Sequence, residues 1–376
     1  MALVHDYLVH VRGGERVFGV ICEAFPEADL YALVYDPDVM PDLYRRRGVR
    51  TSLVQRIPGA AQHFRALLPF YPAAAAAMDL TSYDLVIAST SAFAHGVRVR
   101  PGAILVAYCH SPFRYAWSHY EDLVAAPARR LRPLTAAWRA GFRAWDRRKA
   151  LRVNRYVAIS EVVRGRILEA YGRQSVVIHP PVDLERLKPL PGRRSGYFLV
   201  VSALQRYKRV DLAVAACAML GLPLKVVGEG PEGRSLRARG GPTIEFLGPR
   251  SDRELAELYA CAAGFIFTAD EDFGITPLEA MACGTPVLAF RGGGALETVI
   301  EGETGAFFDR QTEASLVEAL RRFDPASYDP AVIRRRAEEF SPRRFQDALI
   351  GFVDQALGEL DGATFAAPTS RPRDKR

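Results

Sequence analysis

Short, unbroken apolar runs alternate with helical stretches along almost all of this chain, and the alternation restarts once. Ala2–Val4, Leu30–Val34, Leu85–Ala88, Ile104–Cys109, Val153–Ile159 and Val176–Ile178 read as buried strands. A His-Pro-Pro break at 179–181 follows. Then come Gly196–Val201, Leu224–Gly228, Ile244–Leu247, Gly264–Phe267 and Val287–Phe290. Helical stretches lie between them, including Val210–Leu220, Asp252–Cys261 and Pro277–Ala282. Strands that are apolar throughout belong to parallel sheets covered by helices on both faces. The chain is therefore expected to be an α/β protein of two doubly wound, Rossmann-like domains, 1–182 and 183–344. Ligands in such folds sit at the carboxyl ends of strands, so a substrate is expected in a cleft between the domains. The tail, 361–376, is low in hydrophobicity and expected to be disordered.

Composition narrows the class. With 376 residues, 49% hydrophobic and 25% charged, the chain is globular and long enough for two cores. No apolar run approaches the roughly 18 residues of a membrane span. The N-terminal apolar run lacks a basic flank and is interrupted by His5-Asp6, so it reads as a first strand and not as a secretory leader. The five cysteines are scattered and never form a CxxC pair, which points to a reducing, cytoplasmic setting.

The net charge of +7 is concentrated: residues 123–156 hold ten Arg and Lys against one acid, Asp146. Trp138, Phe142 and Trp145 fall on one helix face within this stretch. Such a helix can lie on an anionic membrane surface, or pack on a sheet by its aromatics with a solvated arginine face. Nucleic acid is not an expected partner, because no nucleic-acid motif accompanies the patch.

The segment Thr268–Thr298 carries the chemistry. Glu271 and Glu279 are separated by seven residues, and Phe273-Gly274-Ile275-Thr276-Pro277 between them should open a helix. A helix N-terminus offers free N–H groups and a positive dipole end, which suit phosphate. Flanking carboxylates accept hydrogen bonds from sugar hydroxyls. Together they suggest a phosphorylated-sugar site. Cations for the phosphates lie in Ser202–Arg209, where Lys208 and either Arg206 or Arg209 could reach them. In the first half, Arg12-Gly13-Gly14-Glu15 follows the first strand and starts a helix. His110 ends a strand and is placed to bond a sugar hydroxyl.

Two motifs are expected to be decoys. Gly228–Gly233 matches GxGxxG, but its Pro231 and two glutamates disfavour a pyrophosphate, and it reads as a tight turn. Asp270-Glu271-Asp272 is formally a DxD, yet the neighbouring cations can neutralise phosphate, so no metal and no cofactor is expected.

These residues resemble the retaining glycosyltransferases of family 4, of GT-B fold, over nearly all of the chain from Met1 to about Leu360. The Glu271–Glu279 element with FGITPLEAMACGTPV is its most specific part. RGGE at 12–15, CHSPFRYAW at 109–117, AISEVVRGRI at 158–167 and YKRVDLAV at 207–214 look most like the O-antigen mannosyltransferases. The resemblance implies transfer of mannose from GDP-mannose to a lipid-linked glycan in cell-surface polysaccharide synthesis, on the inner face of the membrane. It implies that Glu279 binds ribose, Glu271 the hexose, and amides of Phe273, Gly274, Ile275 and Thr276 the sugar and phosphate. Lys208, with Gly13-Gly14 alongside, would meet the diphosphate. His110 would lie near the anomeric centre, and Gly248-Pro249-Arg250 would clasp the base. The helix 345–360 would return to the N-terminal domain. Family members carry an arginine where this chain has Ala203, so Arg206 is expected to replace it. A nucleotide-sugar epimerase of the same fold, or a catalytically weak nucleotide-sugar-binding protein, are the alternatives.

Overall fold

The computed structural model describes residues 1–117, 132–190 and 195–364. The chain divides into two compact units: Met1–Ala158 with Arg166–Ile178 and Gln346 onward, and Ile159–Gly165 with His179–Phe345.

The first unit holds seven parallel strands in the order β3-β2-β1-β4-β5-β6-β7. They are β1 (Ala2–Leu8), β2 (Asp29–Tyr35), β3 (Val49–Thr51), β4 (Leu85–Thr90), β5 (Ile104–Cys109), β6 (Arg155–Ala158) and β7 (Ser175–Val177). The second unit holds six parallel strands in the order β10-β9-β8-β11-β12-β13. These are β8 (Ser195–Val201), β9 (Leu224–Val227), β10 (Ile244–Gly248), β11 (Ala262–Phe267), β12 (Val287–Phe290) and β13 (Gly305–Phe308). Each sheet is doubly wound, as the alternation of apolar runs predicts. The short edge strands β3 and β13 escaped the sequence reading.

Apolar packing explains the layers. In the second unit Phe198, Val200, Val226, Ile266 and Leu288 of the strands meet Leu212, Ala213, Ala216 and Cys217 of the helix Val210–Leu220. Leu316 and Leu320 of the helix Glu313–Arg322 join the same core. Each large side chain buried this way contributes about 1.5–3 kcal/mol. The last helix runs Pro342–Thr364, longer at both ends than the expected 345–360. It is bonded to the first unit, where Gln346 Nε2 donates to Val20 O at 3.4 Å. The expected disordered tail is thus helical to Thr364, and 365–376 lie outside the described residues.

The basic helix Arg132–Ala150 is settled by its aromatics. Phe142 is buried, and it packs on Phe93 and Phe113 with ring centroids 5.3 and 4.8 Å apart. Trp138 also meets Phe113, and Trp145 lies so close to Gly96 that a Cβ there would stand 2.6 Å from its ring. Asp146, the one acid, is fully buried and accepts from Trp117 Nε1 at 2.7 Å and Tyr171 Oη at 2.9 Å. The guanidiniums of Arg143 and Arg147 lie over the Trp117 ring. The aromatic stripe therefore packs against the first unit, the second of the two readings open for this helix; 123–131 lie outside the described residues.

Candidate functional site

Strand order picks out two places. In the second sheet β8 and β11 are neighbours although two strands, β9 and β10, come between them in sequence, and the chain reverses its progress across the sheet there. Such a switch point leaves a crevice at the carboxyl ends of the strands where ligands bind. The loops leaving β8 and β11 are 202–209 and 268–274, the two segments singled out for their chemistry.

The β8 loop is a short 3-10 turn, Arg206–Lys208, anchored by buried Leu204, whose N–H donates to Glu229 O at 2.8 Å. The GxGxxG segment is what lets it close: a Cβ on Gly228 would stand 2.0 Å from Ser202 O, and one on Gly230 2.4 Å from Leu204 O. That motif serves backbone packing here. Thr268 Oγ1 of the β11 loop donates to Lys208 O at 2.8 Å, joining the two loops. Lys208 Nζ and Glu271 Oε1 then form a direct ion pair, with side-chain exposures of 12% and 19%. Arg209 is paired to Asp211 at 3.2 Å. Arg206 is exposed and makes no ion pair among the described residues. Of the two arginines, Arg209 is thus the one already paired to a carboxylate.

Beyond Glu271, Asp272 is buried and its carbonyl accepts from Ser160 Oγ, so this end of the DxD is built into the unit. Phe273 is buried and stacked on His179 at 5.5 Å. Gly274 takes φ +82°, the left-handed turn that starts the helix Ile275–Ala282. The amides of Ile275 and Thr276 meet no acceptor among the described residues, as expected for the first turn of a helix. Gly292-Gly293-Gly294, after β12, braces this loop from behind. Gly294 N donates to Glu271 O at 2.9 Å, and a Cβ on Gly294 would stand 2.2 Å from Phe273 Cα.

Glu279, on the same helix, is held at both oxygens. Arg186 Nη2 donates to Oε1 at 3.1 Å and the buried Tyr259 Oη to Oε2 at 2.8 Å. Arg186 also lies 3.5 Å from Asp183 and 3.8 Å from Asp252. The sequence reading missed Arg186 and Tyr259, for neither sits in a recognisable motif. Asp252 opens the helix Asp252–Cys261, which Ser251 caps with Glu254, directly after Gly248-Pro249-Arg250. Gly248 has φ +70° and its carbonyl accepts from Gly228 N at 3.0 Å. Arg250 lies 3.7 Å from Glu254.

In the first unit the switch point falls between β1 and β4. Gly13 and Gly14 open the helix Gly13–Ala24, with Arg12 N donating to Glu15 Oε2 at 3.0 Å. The Gly14 position faces the His110 ring at 3.9 Å. His110 Nε2 lies 2.9 Å from Ser89 Oγ, and His5 Nδ1 lies 3.0 Å from the same oxygen. Burial, helped by neighbouring His5, holds the His110 pKa down to about 4, so the ring is neutral at pH 7. Asp6 accepts from the amides of Ser91, Ala92, Phe93 and Ala94 at 2.6 to 2.9 Å and fixes the loop after β4. The sequence reading gives His5, Asp6 and Ser89 no role: His5-Asp6 reads only as a break in the N-terminal apolar run, and Ser89 lies just past the run Leu85–Ala88.

The chain is similar to known proteins over most of its length. Residues 11–186 match the family model "Glycosyltransferase Family 4", and residues 184–337 match "Glycosyl transferases group 1". A D-inositol 3-phosphate glycosyltransferase of Streptomyces bingchenggensis is 30% identical over 217 residues, 48% of this chain and 47% of the relative. The same enzyme of Geodermatophilus obscurus is 30% identical over 246 residues, 56% of this chain and 54% of the relative. The chain thus spans about half the length of the curated relatives it matches. Among solved structures, sucrose-phosphate synthase from Thermosynechococcus elongatus superposes with TM-score 0.73 at 19% identity, covering 96% of this chain and 100% of that one. Anabaena HepE in complex with UDP-glucose superposes with TM-score 0.69 at 19% identity, covering 94% and 99%. These structures show the fold, which is of GT-B type.

Proposed function

We propose that this chain, whose two halves carry the two domains of a family 4-type glycosyltransferase, moves a hexose from a nucleoside-diphosphate sugar to a glycan acceptor with retention of configuration. The observation that carries the reading is the contact of Lys208 with Glu271 beside the open amides of Ile275 and Thr276. A cation, a hydroxyl acceptor and a helix N-terminus are what a sugar diphosphate needs.

In this reading the bond between the anomeric carbon and the β-phosphate oxygen breaks, and the acceptor oxygen bonds to the same face of that carbon. The acceptor proton passes to the departing phosphate. Lys208, Arg206 and the helix amides stabilise the charge that develops on the diphosphate, each charge-assisted bond contributing about 1.5–3 kcal/mol. No metal is required. Glu271 accepts hexose hydroxyls and Glu279 the ribose hydroxyls. Gly248-Pro249-Arg250 receives the base, and His110, Gly13 and Gly14 are assigned to the sugar.

GDP-mannose is the preferred donor and a lipid-linked glycan the preferred acceptor, both from the resemblance to O-antigen mannosyltransferases. The UDP-glucose seen with HepE and the inositol phosphate named for the curated relatives give the competing choices. Thermal shifts against nucleotide sugars test the donor, since a ligand at 100 times its Kd adds about 2.7 kcal/mol of stability. Stabilisation by UDP-sugars alone would refute GDP-mannose. Epimerised sugar formed without any acceptor would replace transfer by epimerisation, and tight binding with no turnover would leave a nucleotide-sugar-binding protein.

A further inference from the structure

The His5–Ser89–His110 chain runs from the middle of β1 through the end of β4 to the residue after β5, and nothing in the reaction as proposed uses its first two members. Ser89 is fully buried, and its hydroxyl oxygen stands between His5 Nδ1 at 3.0 Å and His110 Nε2 at 2.9 Å. No third partner of that hydroxyl occurs among the described residues. Both rings are held below the ordinary histidine pKa by burial, so at neutral pH each carries a single proton.

A hydroxyl has one proton to give. Ser89 can donate to one ring only, and then it must accept from the other. If it donates to His110 Nε2, it accepts from His5 Nδ1–H, and both rings carry their proton on Nδ1. If it donates to His5 Nδ1, it accepts from His110 Nε2–H, and both carry it on Nε2. An arrangement with both rings donating would leave the buried hydroxyl proton without an acceptor, at a cost of about 1–3 kcal/mol. His5 is fixed in turn by stacking on Phe18, with centroids 4.8 Å apart.

We infer that Ser89 and His5 are positioning residues that lock the tautomer of His110, so that the two imidazoles always bear their proton on the same-named nitrogen. The free Nδ1 edge of His110 thereby follows His5: it donates when His5 carries its proton on Nδ1 and accepts when His5 carries it on Nε2. The functional consequence rests on the reading that gives His110 a hexose hydroxyl; the lock itself does not.

The test is nitrogen NMR of the full chain with 15N-labelled histidine at pH 7.5, the rings assigned through His5→Gln and His110→Gln. The wild type should show the same tautomer preference in both rings, with the proton on the same-named nitrogen. Ser89→Ala should leave His110 averaging between tautomers, and Ser89→Thr, which keeps the hydroxyl, should restore the lock. With donor and acceptor present, Ser89→Ala should lower kcat by three- to tenfold and leave the donor KM unchanged. Protons on opposite-named nitrogens in the wild type, or an unaltered His110 signal in Ser89→Ala, would overturn the inference. A normal NMR pattern with no turnover would instead count against the proposed reaction.

Discussion

Glu271→Gln separates the two jobs assigned to the site. In the free protein Lys208 is neutralised by Glu271, and both side chains are mostly shielded from water. A phosphate oxygen that claimed Lys208 would stand about 5 Å from the Glu271 carboxylate. At an effective dielectric constant of about 20 the repulsion is about 3 kcal/mol. The amide of glutamine removes that charge and keeps the shape. A nucleoside diphosphate lacking its sugar should therefore bind the variant about 10- to 100-fold more tightly than the wild type. The variant should also be less stable by about 1–3 kcal/mol without ligand, because a shielded ammonium has lost its partner, and the nucleotide should restore that loss. With the intact nucleotide sugar the gain should disappear and turnover should fall, since the hexose has lost its acceptor. Isothermal titration with GDP and UDP reads the first effect directly. Equal or weaker nucleotide binding by Glu271→Gln would show that Lys208 does not trade one anion for the other, and the assignment of Lys208 to the diphosphate would fail.

Arg186→Ala and Tyr259→Phe each release one oxygen of Glu279. A double-mutant cycle on nucleotide affinity should show a coupling of about 0.5–3 kcal/mol, and Arg186→Ala should weaken a ribonucleotide more than its 2′-deoxy counterpart. Arg206→Ala should lower nucleoside-diphosphate affinity by about 1.5–3 kcal/mol, one charge-assisted bond, with an unchanged melting temperature. His110 is held to about pKa 4 in the folded protein against about 6.5 unfolded. The unfolded state therefore binds more protons between these values, and stability should fall as pH drops through that window, by up to about 3 kcal/mol, and be flat above it. Denaturant titrations of wild type and His110→Gln check the slope, which the variant should lose in part. The membrane-surface reading of the basic helix is tested by charge reversal at exposed Arg148 and Arg152, since Arg143 and Arg147 cover Trp117. Reduced co-sedimentation with anionic vesicles is expected, and unchanged binding would leave the helix a structural element alone.

How much was legible depended on distance along the chain. The helices Val210–Leu220 and Asp252–Cys261 were readable to the residue because Gly221 closes one and Ser251 caps the other. Glu271 and Glu279 were readable because one turn and one helix fix their separation. Arg186 was not, since its partner Glu279 is 93 residues away and a cation after a proline-rich linker looks solvated. His5 and Ser89 were hidden for a related reason. They sit on different strands 84 residues apart, and only the neighbouring of β1 and β4 makes them partners. Strand order is a tertiary outcome, and a periodic pattern of apolar residues does not encode it. The basic helix could be read either way until Phe93, Phe113 and Gly96 appeared opposite its aromatics.

The charge inventory of the β8 loop links sugar recognition to phosphate recognition. Three cations lie at 206–209, but Arg209 is held by Asp211 and Lys208 by Glu271, which leaves Arg206 and two helix amides for an incoming diphosphate. With Ala203 in the loop no further cation is at hand there. Under the proposed roles the hexose is what engages Glu271, and engagement of Glu271 is what frees Lys208 for the phosphates. A sugar nucleotide would then satisfy both members of the broken pair, whereas the product nucleotide would break the pair and satisfy only one. By the estimate above the difference is about 3 kcal/mol, enough to favour substrate over product by about two orders of magnitude. The ion pair that looks, in the unliganded chain, like an obstacle to donor binding would thus act as the device that expels the spent nucleotide.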